Sequence, residues 1–330
     1  MNIHYSRRTF VQHAAIVGGS WLVLPSSHAQ STRLPASLKI VVPLPAGGGV
    51  DVAVRILAEQ LAKTAGSSVI VENKLGAAGA IAAQSVAASG ADGSVLLYAH
   101  SGMLTVQAMT GNLNLLRDFK PITKISATAH LLSVPANSPF KTQSELIAAI
   151  QAKPGKYNYG SGGNGSPTHL MVERLAERVT GGLTAMHIPF KGGTESSVAL
   201  ITGDIDFAFL IPAVAAEHAK GGRLRVLATS GITRLGLMPQ VPTVAEAGVP
   251  GFRDEPWGAV MVSSKVPDAL VARLYEAITA SAQSAAFSAY VLKSGGTLEH
   301  SASPGALSDE IRQALEAEKV LVQRLGLKPT

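Results

Sequence analysis

The chain has 330 residues, a formal net charge of +6 and no cysteine. A charge this small, without a dense run of Lys and Arg, argues against a nucleic-acid-binding protein. The lack of cysteine excludes a disulfide framework and a thiol nucleophile. A chain of this length can bury a large core without such cross-links, so the composition indicates an ordinary globular protein.

The first 29 residues have the pattern of an export signal. Arg7 and Arg8 precede an apolar run over 14–24, which is too short for a permanent membrane helix, and small residues end at Ala29. The twin arginine is typical of the route for folded proteins, with the general secretory route as an alternative. We predict a signal peptide over 1–29 and a soluble mature protein in the periplasm.

Strand and helix patterns alternate along the rest of the chain. After the first strand, Val50, Val54, Leu57 and Leu61 recur at the spacing of an amphipathic helix. The strand patterns in chain order are LKIVVPL, SSVIVEN, SVLLYAH, HLLSVPA, KYNYG, LTAMHIPF, IDFAFLI and RLRVLATS. Such alternation predicts an α/β protein with parallel sheets and helices on both faces.

No low-complexity linker divides the chain, which favours two lobes joined by crossing strands. We expect the crossings at HLLSVPA and at PWGAVMVSS. Lobe 1 is predicted over residues 30–132 and 255–330, and lobe 2 over residues 133–254. In the last helix, Leu307, Ile311 and Leu315 mark one apolar face, which we expect to pack back on lobe 1.

Two loops repeat one design, a strand followed by a glycine cluster and a helix. They are PAGGGVD after the first strand and GSGGNGSPTH after KYNYG. A glycine loop at a helix N-terminus presents backbone N–H groups to an anion, at the strand edge where α/β proteins bind ligands. We predict that both loops donate N–H groups to one ligand from opposite lobes. The alternative is that one loop is only a tight turn.

The second loop also matches a dinucleotide pattern. Gly160, Gly162 and Gly165 satisfy G-x-G-x-x-G, but a single match is weak. The following strand ends in HIPFKGG, with Lys191 where a nucleotide site needs an acid. We therefore favour a carboxylate or phosphate ligand and expect no cofactor.

Catalytic patterns are equally weak. Ser161 and Ser166 lie among glycines without a G-x-S-x-G motif, and Ser166 is better explained as a helix cap before Pro167. His169 falls in the first helical turn, where a packing or hydrogen-bonding role is favoured. The histidine spacing fits no metal motif, so we expect no metal site. A hydrolase using Ser161 or Ser166 with His169 remains the lesser alternative.

Several further segments join those above in one ordered set from about Leu38 to the C-terminus. They are ADGSVLLY, DFKPIT, ITGDIDFAF and RLGLMPQVPTVAEAGVPGF. In this order the chain resembles the periplasmic solute-binding proteins of tripartite tricarboxylate transporters, the Bug receptors. The resemblance implies a type II periplasmic binding protein fold, in which two α/β lobes joined by crossing strands enclose a ligand cleft.

The resemblance also implies that a small carboxylate binds between the two glycine loops, with Asp51 organising the first. The ligand-binding residues carried over from it are Ala46, Gly47, Gly48, Gly49, Asp51, Ser161, Gly162, Gly163, Asn164, Ser166, His169, Lys191 and Gly192. On this reading the protein is a monomeric receptor rather than an enzyme. It delivers its ligand to membrane transporter subunits, or alternatively presents its closed form to a membrane sensor.

Overall fold

The computed structural model describes residues 33–328 of the chain, so the predicted signal over 1–29 lies outside the described residues. Two five-stranded sheets form the centres of two lobes, each covered by helices. The strands are β1 (Ser37–Val42), β2 (Ser68–Asn73), β3 (Val95–His100), β4 (Phe119–Ala127), β5 (Leu131–Pro135), β6 (Asn158–Ser161), β7 (Met186–Pro189), β8 (Phe207–Leu210), β9 (Leu224–Thr229) and β10 (Trp257–Ser263).

A helix follows each of these strands except β4 and β9, after which the chain crosses to the other lobe, and the segment after β10 is helical. They are α1 (Gly49–Ala65), α2 (Ala80–Ala87), α3 (Gly102–Thr110), α4 (Gln143–Ala152), α5 (Pro167–Arg178), α6 (Gly193–Thr202), α7 (Pro212–Lys220), α8 (Asp268–Ala282), α9 (Ala285–Lys293) and α10 (Pro304–Arg324). Within the described part of the chain, no helix is long and apolar enough to cross a membrane.

The two sheets share one topology. The strand order is β2-β1-β3-β10-β4 in lobe 1 and β7-β6-β8-β5-β9 in lobe 2. The neighbours β1, β2 and β3 are parallel, as are β6, β7 and β8. Parallel strands place all their carboxyl ends at one edge of the sheet, so the loops after β1 and β6 lie at this edge of their lobes.

The sheets are mixed rather than parallel throughout, because one strand in each lobe runs opposite to its neighbours. In lobe 1, β10 is antiparallel to β3 and β4, and in lobe 2, β5 is antiparallel to β8 and β9. Each is the first strand after the chain changes lobe. A chain that arrives from the other lobe enters at the carboxyl edge of the sheet and must run opposite to the strands that end there.

The chain changes lobe twice, through a short segment and a long one. It leaves lobe 1 after Ala127 and enters lobe 2 at Leu131, so the predicted boundary after residue 132 falls inside β5. The chain returns from lobe 2 to lobe 1 through residues 230–256. The two segments are joined where Thr128 N–H donates to Pro256 O and Ser230 N–H donates to His130 O.

Each sheet is covered by apolar side chains on both faces. In lobe 1, α1 and α8 bury Leu57, Leu61 and Leu274 on one face, while Leu307 and Ile311 of α10 pack on the other. Their burial with Leu315 confirms that the last helix packs back on lobe 1. In lobe 2, α4 and α5 cover one face, and α6 and α7 the other.

Candidate functional site

The first glycine loop joins β1 to α1 on the surface of lobe 1. Ala46, Gly47, Gly48 and Gly49 are exposed, and the φ of 78° at Gly47 is one that favours glycine. Gly48 caps α1 in an extended conformation. Among the described residues, the N–H groups of Gly49 and Val50 have no hydrogen-bond partner. These donors at the positive end of a 17-residue helix can receive an anion.

Asp51 organises this loop, as predicted from its position in the first turn. Its side chain is only 2% exposed, and Oδ2 accepts from Gly47 N–H and Arg55 Nε, each at 2.9 Å. Oδ1 accepts from Asn73 Nδ2 at 2.8 Å. The hydrogen bond from Arg55, with those from Gly47 and Asn73, lowers the pKa of Asp51 to about 2. Asp51 is therefore ionised and has its oxygens directed into the protein rather than towards a ligand.

Sequence reasoning missed the partners of Asp51 and an unusual turn in the same lobe. Arg55 and Asn73 carry no motif, because only folding brings β2 beside the start of α1. After β2, Ala77 and Ala78 have φ of 45° and 47°, between two glycines that also have positive φ. A left-handed backbone conformation is unfavourable for alanine. Two such residues in a row indicate a constrained backbone at the carboxyl edge of lobe 1.

The second glycine loop joins β6 to α5 in lobe 2. Ser166 caps α5, accepting from His169 N–H at 3.3 Å, and Pro167 takes the first helical position, so the predicted cap is confirmed. Gly163 and Gly165 have φ of 113° and 71°, conformations that favour glycine. The glycine cluster thus satisfies the backbone geometry of this turn.

Three N–H groups of this loop already donate to side chains at the end of β6 and the start of α5. Gly162 N–H donates to Thr168 Oγ1 at 3.0 Å, Gly163 N–H to Ser161 Oγ at 3.1 Å and Gly165 N–H to His169 Nδ1 at 3.0 Å. These three donors are engaged in this conformation. The exposed Asn164 has an N–H group with no acceptor among the described residues.

A second turn, between β7 and α6, lies against this loop. Phe190 N–H donates to Ser161 O at 3.1 Å, and a Cβ placed on Gly162 would lie 3.6 Å from Gly193 N. Lys191 is exposed, and its N–H donates to Glu195. The N–H groups of Gly193 and Thr194, at the start of α6, have no acceptor in the described part of the chain. The structure thus brings Lys191 and Gly192 beside Ser161–Gly163, as the resemblance implies.

Below the second loop, two histidine rings stack on each other. His169 of α5 and His187 of β7 have ring centroids 3.9 Å apart and an interplanar angle of 3°. The Tyr159 ring stacks beside both, with centroids 4.9 Å from His187 and 6.3 Å from His169. Burial lowers the pKa of His169 below its ordinary value, and burial with the nearby His169 ring lowers the pKa of His187 to about 4. Both rings are neutral at pH 7.

The structure does not pair Ser161 or Ser166 with the His169 ring, the arrangement that the alternative hydrolase interpretation requires. Ser161 Oγ lies 2.7 Å from Nε2 of His187, a residue that the sequence analysis did not single out. Ser166 Oγ accepts from the backbone of His169, and the His169 ring accepts from Gly165. Within the described residues, no group of His, Asp or Glu side chains is arranged to hold a metal ion.

Comparison with known proteins identifies the family. Residues 53–327 match the model of the tripartite tricarboxylate transporter family receptor. The chain is 33% identical over 259 residues to Protein BugT of Bordetella pertussis, covering 76% of this chain and 77% of BugT. The chain belongs to the family of tripartite tricarboxylate transporter receptors, whose members are solute-binding proteins, and the predicted resemblance is confirmed.

Solved structures agree with this assignment. A TctC solute-binding protein from Polaromonas, without ligand, superimposes with a TM-score of 0.76 at 26% identity, covering 87% of this chain and 98% of that one. R. palustris Rpa4515 with adipate gives a TM-score of 0.72 at 26% identity over 89% and 98% of the two chains. The predicted type II periplasmic binding protein fold with two α/β lobes is confirmed.

Proposed function

We propose that this protein is a periplasmic receptor that binds a small organic acid between its lobes and delivers it to a tripartite transporter. The observation that supports this most directly is the pair of exposed helix N-termini with unpaired N–H groups. They are Gly49 and Val50 of α1 in lobe 1, and Gly193 and Thr194 of α6 in lobe 2. Donors of this kind suit a carboxylate.

The proposed ligand is held mainly by backbone dipoles. Arg55, which hydrogen bonds with the organiser of the first loop, is already engaged by Asp51 and Asn73. A receptor must release its ligand. Release does not require breaking a buried ion pair when no Arg binds the ligand carboxylate. The family relative Rpa4515 with adipate supports an organic acid as the ligand class.

The proposal includes three narrower statements. The protein acts as a binding protein rather than as an enzyme, as the solute-binding proteins of its family do. It works as a monomer in the periplasm. Its site consists of the predicted loop residues together with Gly193 and Thr194, which the sequence analysis did not include.

The test is a thermal-shift screen of the purified protein against mono-, di- and tricarboxylates, with adipate included and nucleotides as the comparison class. A ligand at a hundred times its Kd stabilises the folded protein by about 2.7 kcal/mol, a clear shift in melting temperature. We expect an organic acid to give this shift. Stabilisation by nucleotides alone would contradict the proposal.

Two glycine variants then locate the site by calorimetry. A Cβ at Gly48 or Gly162 meets nothing closer than 3.4 Å, so Gly48→Val and Gly162→Val should fold. Each should weaken binding of the acid found in the screen at least tenfold, because a side chain at either position limits the approach of a ligand to the loop. Gly236→Val, at an open position of lobe 2, is the control. Unchanged affinity in a folded variant would show that its loop is only structural.

A further inference from the structure

The stacked histidines lie directly beneath the loop that the proposed function assigns to the ligand. His169 Nδ1 accepts the Gly165 N–H at 3.0 Å, so this nitrogen carries no proton and the ring proton must be on Nε2. His187 Nε2 contacts Ser161 Oγ, and the same oxygen accepts the Gly163 N–H. The two rings therefore hold the loop at both of its ends.

Adding a proton to this pair conflicts with the loop. A second proton on His169 can only go to Nδ1, whose lone pair accepts the Gly165 N–H. Once protonated, Nδ1 is itself a donor, so two donors would face each other and the hydrogen bond would be lost. Two cationic rings at a centroid distance of 3.9 Å would also repel each other. Both effects oppose the loop conformation seen here.

The acidic side chain of Glu173 lies near the pair. Glu173, one turn along α5 from His169, accepts from the buried hydroxyl of Tyr159 at 2.7 Å and lies 3.8 Å from Arg324 of α10. Its charge slightly favours a cationic His187, but burial and the neighbouring His169 oppose this more strongly. Lys191 in the turn after β7 and Glu195 on α6 are linked to each other, because the Lys191 N–H donates to the Glu195 carboxylate.

We propose that His169 and His187 form a proton-sensitive pair that positions the second glycine loop, which keeps its shape only while both rings are neutral. Acidification frees the Gly165 N–H and releases the loop. If the loop binds ligand as proposed above, the affinity falls with the same protonation. His187, whose hydrogen bond reaches the loop through Ser161, is a positioning residue rather than a ligand contact.

The sign of the pH dependence follows from the lowered pKa values of both rings. The unfolded chain takes up protons near the ordinary histidine pKa of 6.5, before the folded chain does. The stabilisation from the neutral pair is therefore complete above pH 6.5. It is lost as the pH falls from there towards about 4, where His187 titrates in the folded protein.

The experiment needs no ligand, so its outcome is independent of whether a carboxylate binds. Backbone amide and histidine ring resonances of the purified protein are followed by NMR from neutral pH downward. We expect the His169 ring to titrate below 6.5 and the Gly165 amide resonance to shift with the same midpoint. In His169→Asn, Oδ1 takes the place of Nδ1 as a permanent acceptor, so the part of the Gly165 shift that follows the His169 midpoint should disappear.

His218→Asn is the matched control, because it makes the same substitution on α7, away from the stacked pair. It should leave the Gly165 response unchanged, and thermal melts confirm that each variant is folded. A constant Gly165 resonance while His169 titrates would overturn the proposal. So would a Gly165 shift that keeps its wild-type midpoint and size in His169→Asn.

Discussion

Asp51 illustrates how one side chain sets the shape of a loop. Its two oxygens connect the loop backbone at Gly47 with Arg55 one turn along α1 and Asn73 on β2. A carboxylate can accept all these bonds at once, whereas an amide offers only one acceptor oxygen. The negative charge is therefore as important as the shape of the side chain.

Asp51→Asn should lower the free energy of unfolding by about 1–3 kcal/mol at neutral pH, because it removes a charge-assisted hydrogen bond from a buried position. The stabilisation by the wild-type carboxylate is present above its ordinary pKa of 3.8 and is lost as the pH falls to about 2. The deficit of the variant should therefore disappear by about pH 2.

Urea denaturation at both pH values measures the difference. Asp309→Asn provides the control, because Asp309 is an exposed carboxylate paired with Arg312 on the same helix. Its effect should stay within about 0.5 kcal/mol. An Asp51→Asn deficit that persists unchanged at about pH 2 would show that the shape of the side chain, rather than its charge, is responsible.

At the scale of the elements, α5 connects the second glycine loop with the lobe interface. Its N-terminus is capped by Ser166, and further along the helix Arg174 reaches Asp254 and Glu318. The helix α4 offers a useful comparison. Its N-terminus has the same kind of cap, in which the Thr142 side chain accepts from Glu145 N–H. The ligand proposal does not involve α4.

Ser166→Ala and Thr142→Ala should each cost about 1 kcal/mol of stability, since each leaves one helix N–H without its capping acceptor. Only Ser166→Ala should also weaken binding of an organic acid, because its cap orders the loop beside the proposed ligand. Chemical denaturation and calorimetry on the two variants separate stability from binding. Equal losses of affinity in both variants would mean that the effect comes from reduced stability alone.

For the molecule as a whole, charged side chains tie the two lobes together. Arg174 of lobe 2 donates to Glu318 of α10 in lobe 1, which also accepts from Thr105 of α3. Arg324 of α10 reaches Glu177 of α5 at 3.0 Å. Glu318 is only 4% exposed, so its charge depends on these partners.

Glu318→Gln should lower the free energy of unfolding by about 1.5–3 kcal/mol, because Arg174 loses a buried anionic partner but keeps Asp254. The control is Glu316→Gln on the same helix, where an exposed pair with Lys319 should contribute less than about 0.5 kcal/mol. Denaturant titration of both variants gives the comparison. Equal stability of the two variants would show that the interlobe pair contributes nothing.

Local patterns in the sequence were sufficient to predict the strands quoted above, the helix that follows the first glycine loop, the packing of the last helix and the cap at Ser166. These features depend on residues a few positions apart, or on a family resemblance distributed along the chain. The direction of β5 and β10 was not predictable in this way, because it follows from where the chain crosses between lobes.

The site itself was decided by contacts between distant segments. Asn73 reaches Asp51 only because β2 pairs with β1, and His187 reaches Ser161 and His169 only because β7 pairs with β6 below α5. The glycine clusters predicted the positions of the two loops. Which loop N–H groups remain unpaired depends on the side chains that accept hydrogen bonds from the loop backbone. Hydrogen bonding between residues far apart in the chain can be established only after the sheets have set their register.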